Sequence, residues 1–320
     1  MLRKSKVRIA AMRMNRRKFL GRLAATGGAA LLGRASQAIA IDNFPGYRDR
    51  YGVLVDTTLC IGCRRCEWAC NEWNKLPNKP IKSFEDKTVF DTVRRTHAGT
   101  FTVVNRHIDS NDSKPVYVKK QCMHCEEPAC VSACFVKAFR KTPEGAVVYD
   151  ASVCVGCRYC MIVCPFDIPA FEYDEPLTPL VTKCTFCFDR ISKEGGVPAC
   201  VNICPVESLR FGRRADLIKL AHERIRNNPG KYINHVYGEH EVGGTSWLYL
   251  SAIPFDKIGL RTDLGRTIIP KLGKTFLTAV SVVLVSWPVL FTGLYVFSRM
   301  SSKSSRENMP STKMKAGKDG

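Results

Sequence analysis

Sixteen cysteines, gathered into four sets of four, constrain this 320-residue chain more than any other feature. The first set is Cys60, Cys63, Cys66 and Cys70; the second is Cys122, Cys125, Cys130 and Cys134. The third is Cys154, Cys157, Cys160 and Cys164, and the fourth Cys184, Cys187, Cys200 and Cys204. An even count at this density leaves a disulfide scaffold or metal centres. Sets one and three both read C-x2-C-x2-C-x3-C, and Pro follows Cys164 and Cys204. That run suits an iron–sulfur cube, whose irons point to tetrahedral corners: closely spaced thiolates cover three corners and the last cysteine reaches a neighbouring cluster. A lone zinc also accepts four cysteines but has no use for a third one three residues on.

The sets are copies of one another. Val53-Leu54-Val55-Asp56 followed by Cys60-Ile61-Gly62-Cys63-Arg64-Arg65-Cys66 returns 94 residues later as Val147-Val148-Tyr149-Asp150 followed by Cys154-Val155-Gly156-Cys157-Arg158-Tyr159-Cys160. Pro128-Ala129-Cys130-Val131-Ser132-Ala133-Cys134 returns 70 residues later as Pro198-Ala199-Cys200-Val201-Asn202-Ile203-Cys204. Duplication of a two-set module explains both. Short apolar strands are expected before sets one and three and at Val116-Tyr117-Val118. Gly62 and Gly156, lacking Cβ, let backbone N–H groups approach cluster sulfur. Ala215 to Asn228, with Leu217, Ile218, Leu220, Ala221 and Ile225 on one face and Pro229-Gly230 beyond it, reads as an amphipathic packing helix.

The formal charge of +20 invites a nucleic-acid reading until its position is examined. Residues 1–40 hold ten basic and no acidic residues, and residues 299–320 hold six and two. Residues 41–298 carry 33 basic against 27 acidic residues, and thiolates around four iron–sulfur cubes would bring that body to about −2 by formal charge. No nucleic-acid partner is expected, because no basic platform with aromatic residues accompanies the charge.

Asn15-Arg16-Arg17-Lys18-Phe19-Leu20, the small and apolar run to Leu32 and the site Ala38-Ile39-Ala40 form a twin-arginine export signal over residues 1–40, with Met1 or Met14 as the start. That route carries proteins already folded around their cofactor, which answers the objection that an exported chain would oxidise its thiols. Near the other end, residues 275–298 run without a charge for 24 positions, enough to cross the lipid bilayer, and the basic tail at 299–320 favours a cytoplasmic C-terminus. Pro288 should kink the span. It contains no His, so it cannot itself hold a bis-histidine haem.

From Cys60 to about Leu250 the chain resembles the four-cluster ferredoxin-type electron-transfer subunits of exported respiratory oxidoreductases. It is similar to the beta subunits of formate dehydrogenase-N and dimethyl sulfoxide reductase, and most like the membrane-anchored iron–sulfur subunit of periplasmic nickel–iron hydrogenases. The match rests on Lys120-Gln121-Cys122-Met123-His124-Cys125, Cys157-Arg158-Tyr159-Cys160-Met161 and Tyr237-Gly238-Glu239 to Gly243-Gly244-Thr245. Cys70-Asn71-Glu72-Trp73-Asn74 resembles the formate dehydrogenase branch instead, and Asn71 and Phe135 stand where Pro often follows the fourth cysteine.

The resemblance implies an α+β fold of two interleaved ferredoxin-like modules plus one C-terminal transmembrane helix. The first module would be 41–115 with 181–215, the inserted second 116–180, and 216–274 a helix and extended connector. It implies four 4Fe-4S cofactors. Cluster one would be held by Cys60, Cys63, Cys66 and Cys204, and cluster two by Cys70, Cys184, Cys187 and Cys200. Cluster three would use Cys122, Cys125, Cys130 and Cys164, and cluster four Cys134, Cys154, Cys157 and Cys160. The implied role is a non-catalytic relay on the periplasmic side of the cytoplasmic membrane. Its expected partners are a catalytic large subunit of nickel–iron or molybdopterin type, a quinone-linked integral membrane subunit and the bilayer through 275–298. The alternatives are a formate dehydrogenase or other molybdopterin-enzyme beta subunit and, from another class, a disulfide-braced, membrane-tethered binding protein.

Other residues carry weaker signals. His124 sits inside a cysteine loop but every ligand place is already taken, so it reads as a supporting or surface residue. Trp68 and Trp73 read as packing, and Arg64, Arg65 and Arg158 as solvated charge.

Overall fold

A computed structural model of the chain describes residues 50–109 and 112–307. The export signal expected at 1–40 and most of the basic tail lie outside them. In chain order the elements are β1 (Tyr51–Asp56), α1 (Arg65–Trp73), β2 (Val103–Asp109), β3 (Asp112–Lys120), α2 (Ala129–Ser132), β4 (Phe139–Lys141), β5 (Val147–Tyr149) and α3 (Tyr159–Ile162). There follow β6 (Ala170–Phe171), β7 (Val181–Thr182), α4 (Phe188–Glu194), α5 (Ala199–Asn202), β8 (Leu209–Arg213), α6 (Arg214–Asn227), β9 (Trp247–Leu250) and α7 (Ile269–Glu307).

The strand before set one pairs with the strand after set four, β1 antiparallel to β8 with Val53 opposite Phe211. The strand after set two pairs with the strand before set three, β4 antiparallel to β5 with Arg140 opposite Val148. The first pairing brings together sets one and four, far apart in sequence, and the second folds the consecutive sets two and three toward each other. β9 joins the other edge of β1 in parallel, with Leu54 opposite Leu248. Hairpin β2–β3 spans Val103 to Lys120, with a register irregularity near Ile108.

The unbroken Val53-Leu54-Val55 run belongs to a strand covered on both faces, the situation in which alternation disappears. Val53 and Val55 point into the main core with Val118, Ile168, Phe186, Trp247 and Tyr249. Leu54 points the other way, to Leu217 and Ala221 of α6 and to Val236, Leu248 and Leu250. The expected helix at 215–228 is therefore α6, and Leu217 and Ala221 are its buried contacts. The main core draws residues from both halves of the cysteine-bearing region, so the halves share an interior rather than standing as separate domains.

Helix α7 docks its first turn on that core through Ile269 and lies against α2. Its stretch Ala279–Arg299, 21 residues of mean hydropathy 2.0, is wholly unburied. It is long and apolar enough to cross a bilayer and begins four residues later than expected. Pro288 lies inside the helix, and the Thr292 hydroxyl donates to the Pro288 carbonyl at 2.7 Å. In a bilayer that bond would give the hydroxyl a partner in place of water.

Candidate iron–sulfur site

The cysteine loops are built from backbone conformations that the sequence repeats. Gly62 and Gly156 have φ of +66° and +67°, and the following Arg64 and Arg158 have +56° and +60° at the starts of α1 and α3. Lys137, Asp167 and Glu207, each three residues after the last cysteine of a set, have φ of +57°, +53° and +48°. Their N–H groups donate to the carbonyls of Cys134, Cys164 and Cys204 at 3.0, 3.2 and 3.4 Å. A left-handed non-glycine residue costs roughly 1–2 kcal/mol. So many of them around one kind of residue mark a backbone wound for a purpose.

Winding the loops this way turns N–H groups toward sulfur. Ala138 N–H donates to Cys134 Sγ at 3.2 Å, Phe186 N–H to Cys184 Sγ at 3.4 Å and Gly156 N–H to Cys154 Sγ at 3.5 Å. The Asn74 side chain donates to Cys70 Sγ at 3.6 Å, and Ser208 Oγ lies 3.5 Å from Cys204 Sγ. Burial nevertheless dominates the thiols. It raises Cys60, Cys160, Cys164 and Cys187 to about 11 and Cys130 and Cys184 to about 12. Cys66, Cys70 and Cys125 stand well above the ordinary thiol range.

Neighbouring thiols add to burial, and the neighbours fall into four groups. Cys60 feels Cys204 and Cys63, and Cys66 feels Cys60. Cys70 feels Cys184, Cys200 and Cys187. Cys125 feels Cys122, Cys164 and Cys130. Cys160 feels Cys154, Cys157 and Cys134. Further links join the groups in a row: Cys66 to Cys200, Cys184 to Cys122, and Cys130 to Cys160. Cys157, in the group at one end, is the exposed member of the sixteen. Beside that group's cysteines Phe135, Val155, Tyr159 and Ile162 are exposed at 72%, 60%, 51% and 77%.

This donor set fits iron–sulfur cubes. All sixteen thiols are unbridged. Among the described residues no three His, Cys, Asp or Glu close around a point where one ion could sit. A cube spreads its thiolates further apart than a mononuclear ion does. Cys60, Cys63, Cys66 and Cys204 line one cavity together with Val55, Val104 and Leu209. Buried thiols that repel each other's charge have reason to bind a cationic core, and N–H groups already aimed at sulfur favour the ionised form.

Several expectations for single residues change. His124 is fully buried, not a surface residue. Its Nδ1 accepts from Val147 N–H at 2.8 Å, its ring lies 4.9 Å from that of Phe186, and burial with Lys183 and Lys141 nearby holds it well below the usual histidine range. Arg64 is buried as well, 3.3 Å from Glu67 and 5.0 Å from the centre of the Phe84 ring, so it is a structural cation rather than a solvated one. Glu67 is 2% exposed; besides Arg64 it binds Arg94 and the Val104 N–H, whose hydrogen bonds satisfy its charge. Arg65 and Arg158 are exposed, and Arg158 stacks near Phe171 and Tyr173. Trp68 and Trp73 pack beside Cys187 and Ala199.

Sequence reasoning missed the buried lysines. Lys119 and Lys183 are buried in the cysteine region and Lys141 is half-buried beside it, its Nζ donating to the carbonyls of His124 and Gly145. Nothing in the Lys119-Lys120 pair announces that one ammonium is inside. Only the pairing of β3 with β2 reveals it.

A family model described as a 4Fe-4S dicluster domain matches residues 114–214, which take in sets two, three and four. The hydrogenase-2 operon protein HybA of Escherichia coli O157:H7 is 37% identical over 280 residues, covering 77% of this chain and 84% of that protein. The iron–sulfur subunit of the nitrate-inducible formate dehydrogenase of Escherichia coli K12 is 34% identical over 209 residues, 64% of this chain and 69% of its own. A protein of Nitratidesulfovibrio vulgaris Hildenborough is 53% identical over 296 residues, 92% of this chain and 80% of its own.

Proposed function

Since the chain belongs to the family of iron–sulfur subunits that includes HybA and the formate dehydrogenase iron–sulfur subunits, we propose that it is the electron-transfer subunit of a membrane-bound respiratory oxidoreductase. It relays electrons through four 4Fe-4S clusters between a catalytic subunit of hydrogenase type and a quinone-linked membrane subunit. The cluster-bearing body sits on the periplasmic side after twin-arginine export, and α7 anchors it in the cytoplasmic membrane. The observation that carries this reading is the gathering of sixteen cysteines into four groups linked in a row.

A bound 4Fe-4S cube accepts and returns one electron at a potential set by hydrogen bonds, charge and solvent exposure. The chain's residues supply the rest. Cys60, Cys63, Cys66 and Cys204 would hold the first cluster, and Cys70, Cys184, Cys187 and Cys200 the second. Cys122, Cys125, Cys130 and Cys164 would hold the third, and Cys134, Cys154, Cys157 and Cys160 the fourth. The two interleaved ferredoxin-like modules, 41–115 with 181–215 and the inserted 116–180, find support in the pairings β1–β8 and β4–β5. The shared core keeps water away from the inner groups, while exposed Cys157 and its apolar neighbours offer an end for electrons to cross to a partner. The likeness to HybA favours the hydrogenase reading over a formate dehydrogenase beta subunit, through its higher identity and coverage.

Anaerobic purification of the full chain with whatever subunits accompany it tests the proposal. A brown preparation with about sixteen irons and as many inorganic sulfides, bleaching on reduction, is expected. A colourless chain with its cysteines paired would replace the relay with the disulfide-braced reading. Copurification of a molybdopterin protein in place of a nickel–iron one would move the complex to the formate dehydrogenase branch.

A further inference from the structure

Among the charged groups outside the sixteen ligands, Lys119 stands in the most unusual place. It is 3% exposed, and its Nζ donates to Thr102 Oγ1 at 2.7 Å and Gln121 Oε1 at 2.9 Å, both neutral. The ammonium also lies 4.5 Å from the centre of the Trp247 ring. Gln121 is held in turn by Tyr249, whose hydroxyl accepts from Gln121 Nε2 at 2.7 Å and donates to the Lys119 carbonyl at 2.8 Å. These side chains fix one cation without offering it a carboxylate.

The negative partners are on the cysteine side. Lys119 borders the cavity lined by Cys60, Cys63, Cys66 and Cys204. Burial works against its charge, yet Cys200, Cys66, Cys184 and Cys70, once ionised, outweigh burial and raise its pKa. Cys66 belongs to the first group, and Cys200, Cys184 and Cys70 to the second. A buried ammonium without a compensating anion would cost several kcal/mol, so its retention implies negative charge on both sides.

The structure assigns Lys119 the role of a shared counter-charge between the first and second cysteine groups, a positioning residue that raises the reduction potentials of both clusters together. The assignment rests on the relay proposed above. Each cluster gains one negative charge when it takes an electron from its donor, so a fixed cation beside both favours the reduced forms. No cysteine of the third or fourth group is among those that act most strongly on this cation.

The test is a redox titration of the anaerobically purified complex, followed by electron paramagnetic resonance, for the native chain and the variants Lys119→Gln and Lys119→Arg. With Gln, two of the four midpoints should fall and two should stay. Each affected couple should lose about tenfold in its reduced-to-oxidised ratio at fixed potential, roughly 59 mV for one electron. With Arg, which keeps the charge, the midpoints should return toward native values. Four unmoved midpoints in Lys119→Gln, or equal shifts in the Gln and Arg variants, would overturn the assignment. If Gln empties two clusters and Arg keeps them, the charge is again what matters; if both variants lose iron alike, Lys119 acts through packing and the inference fails. A native chain without iron would instead sink the relay itself, so the two failures are distinguishable.

Discussion

The arrangement of the ligands can be tested by counting iron in a pair of substitutions, Cys63→Ala and Cys204→Ala. The two residues are 141 positions apart in the chain. Both neighbour Cys60, and Ser208 lies against Cys204 Sγ. If they serve one cluster, each single variant loses about four of about sixteen irons, and the double variant loses the same four. Binding by local sets predicts instead that Cys204 shares a cluster with Cys184, Cys187 and Cys200, so that the double variant loses about eight. A three-cysteine remnant should not hold iron well. The Cys60 thiol is pushed up to about 11, so ionising it at neutral pH without a cluster costs roughly 5 kcal/mol. Iron and sulfide analysis of anaerobic material reads the counts, and paramagnetic resonance shows which signal has gone. A double variant short of about eight irons, or a Cys204→Ala spectrum missing the signal that Cys187→Ala lacks, would refute the interleaved grouping.

Three further outcomes follow from packing and charge. A Cβ on Gly62 would stand 2.4 Å from the Tyr117 ring, whereas one on Gly156 would meet nothing nearer than Phe171 at 3.7 Å. Gly62→Ala should therefore impair assembly of one cluster, while Gly156→Ala, at nearly the same φ, keeps its iron at about 1–2 kcal/mol of backbone strain, as read by iron content and thermal stability. Leu54→Ala removes a side chain sealed between β9 and α6 and should destabilise the chain by roughly 2–5 kcal/mol, visible as earlier bleaching in guanidinium. Burial, with Lys120 nearby, lowers the His107 pKa, so the unfolded state binds the proton first as pH falls below about 6.5. Stability should decline from there toward the lower folded value, and His107→Gln should flatten that slope in a series of unfolding measurements against pH.

Much of the site is legible in the amino-acid sequence because its chemistry is local. The C-x2-C-x2-C-x3-C runs, the glycine at the same place in both copies and the apolar strands before them depend on residues within reach of one another. Repetition makes them unmistakable, and the left-handed backbone at Gly62, Gly156, Arg64 and Arg158 is the same repetition expressed in dihedral angles. A charge-free run of 24 residues likewise shows by composition alone that it is long and apolar enough to cross a bilayer.

What the chain order could not disclose is which distant groups meet. The pairing of β1 with β8 and of β4 with β5 sets Cys204 beside Cys60 and Cys134 beside Cys160, and hydrogen bonding between strands carries no label in the sequence. The same holds for charge. Lys119 and Arg64 look like any solvated cations until folding strips water from them and leaves thiols, Glu67 and an indole ring in its place. Their energies depend on the dielectric and on neighbours brought in from elsewhere in the chain, and only the tertiary structure settles both.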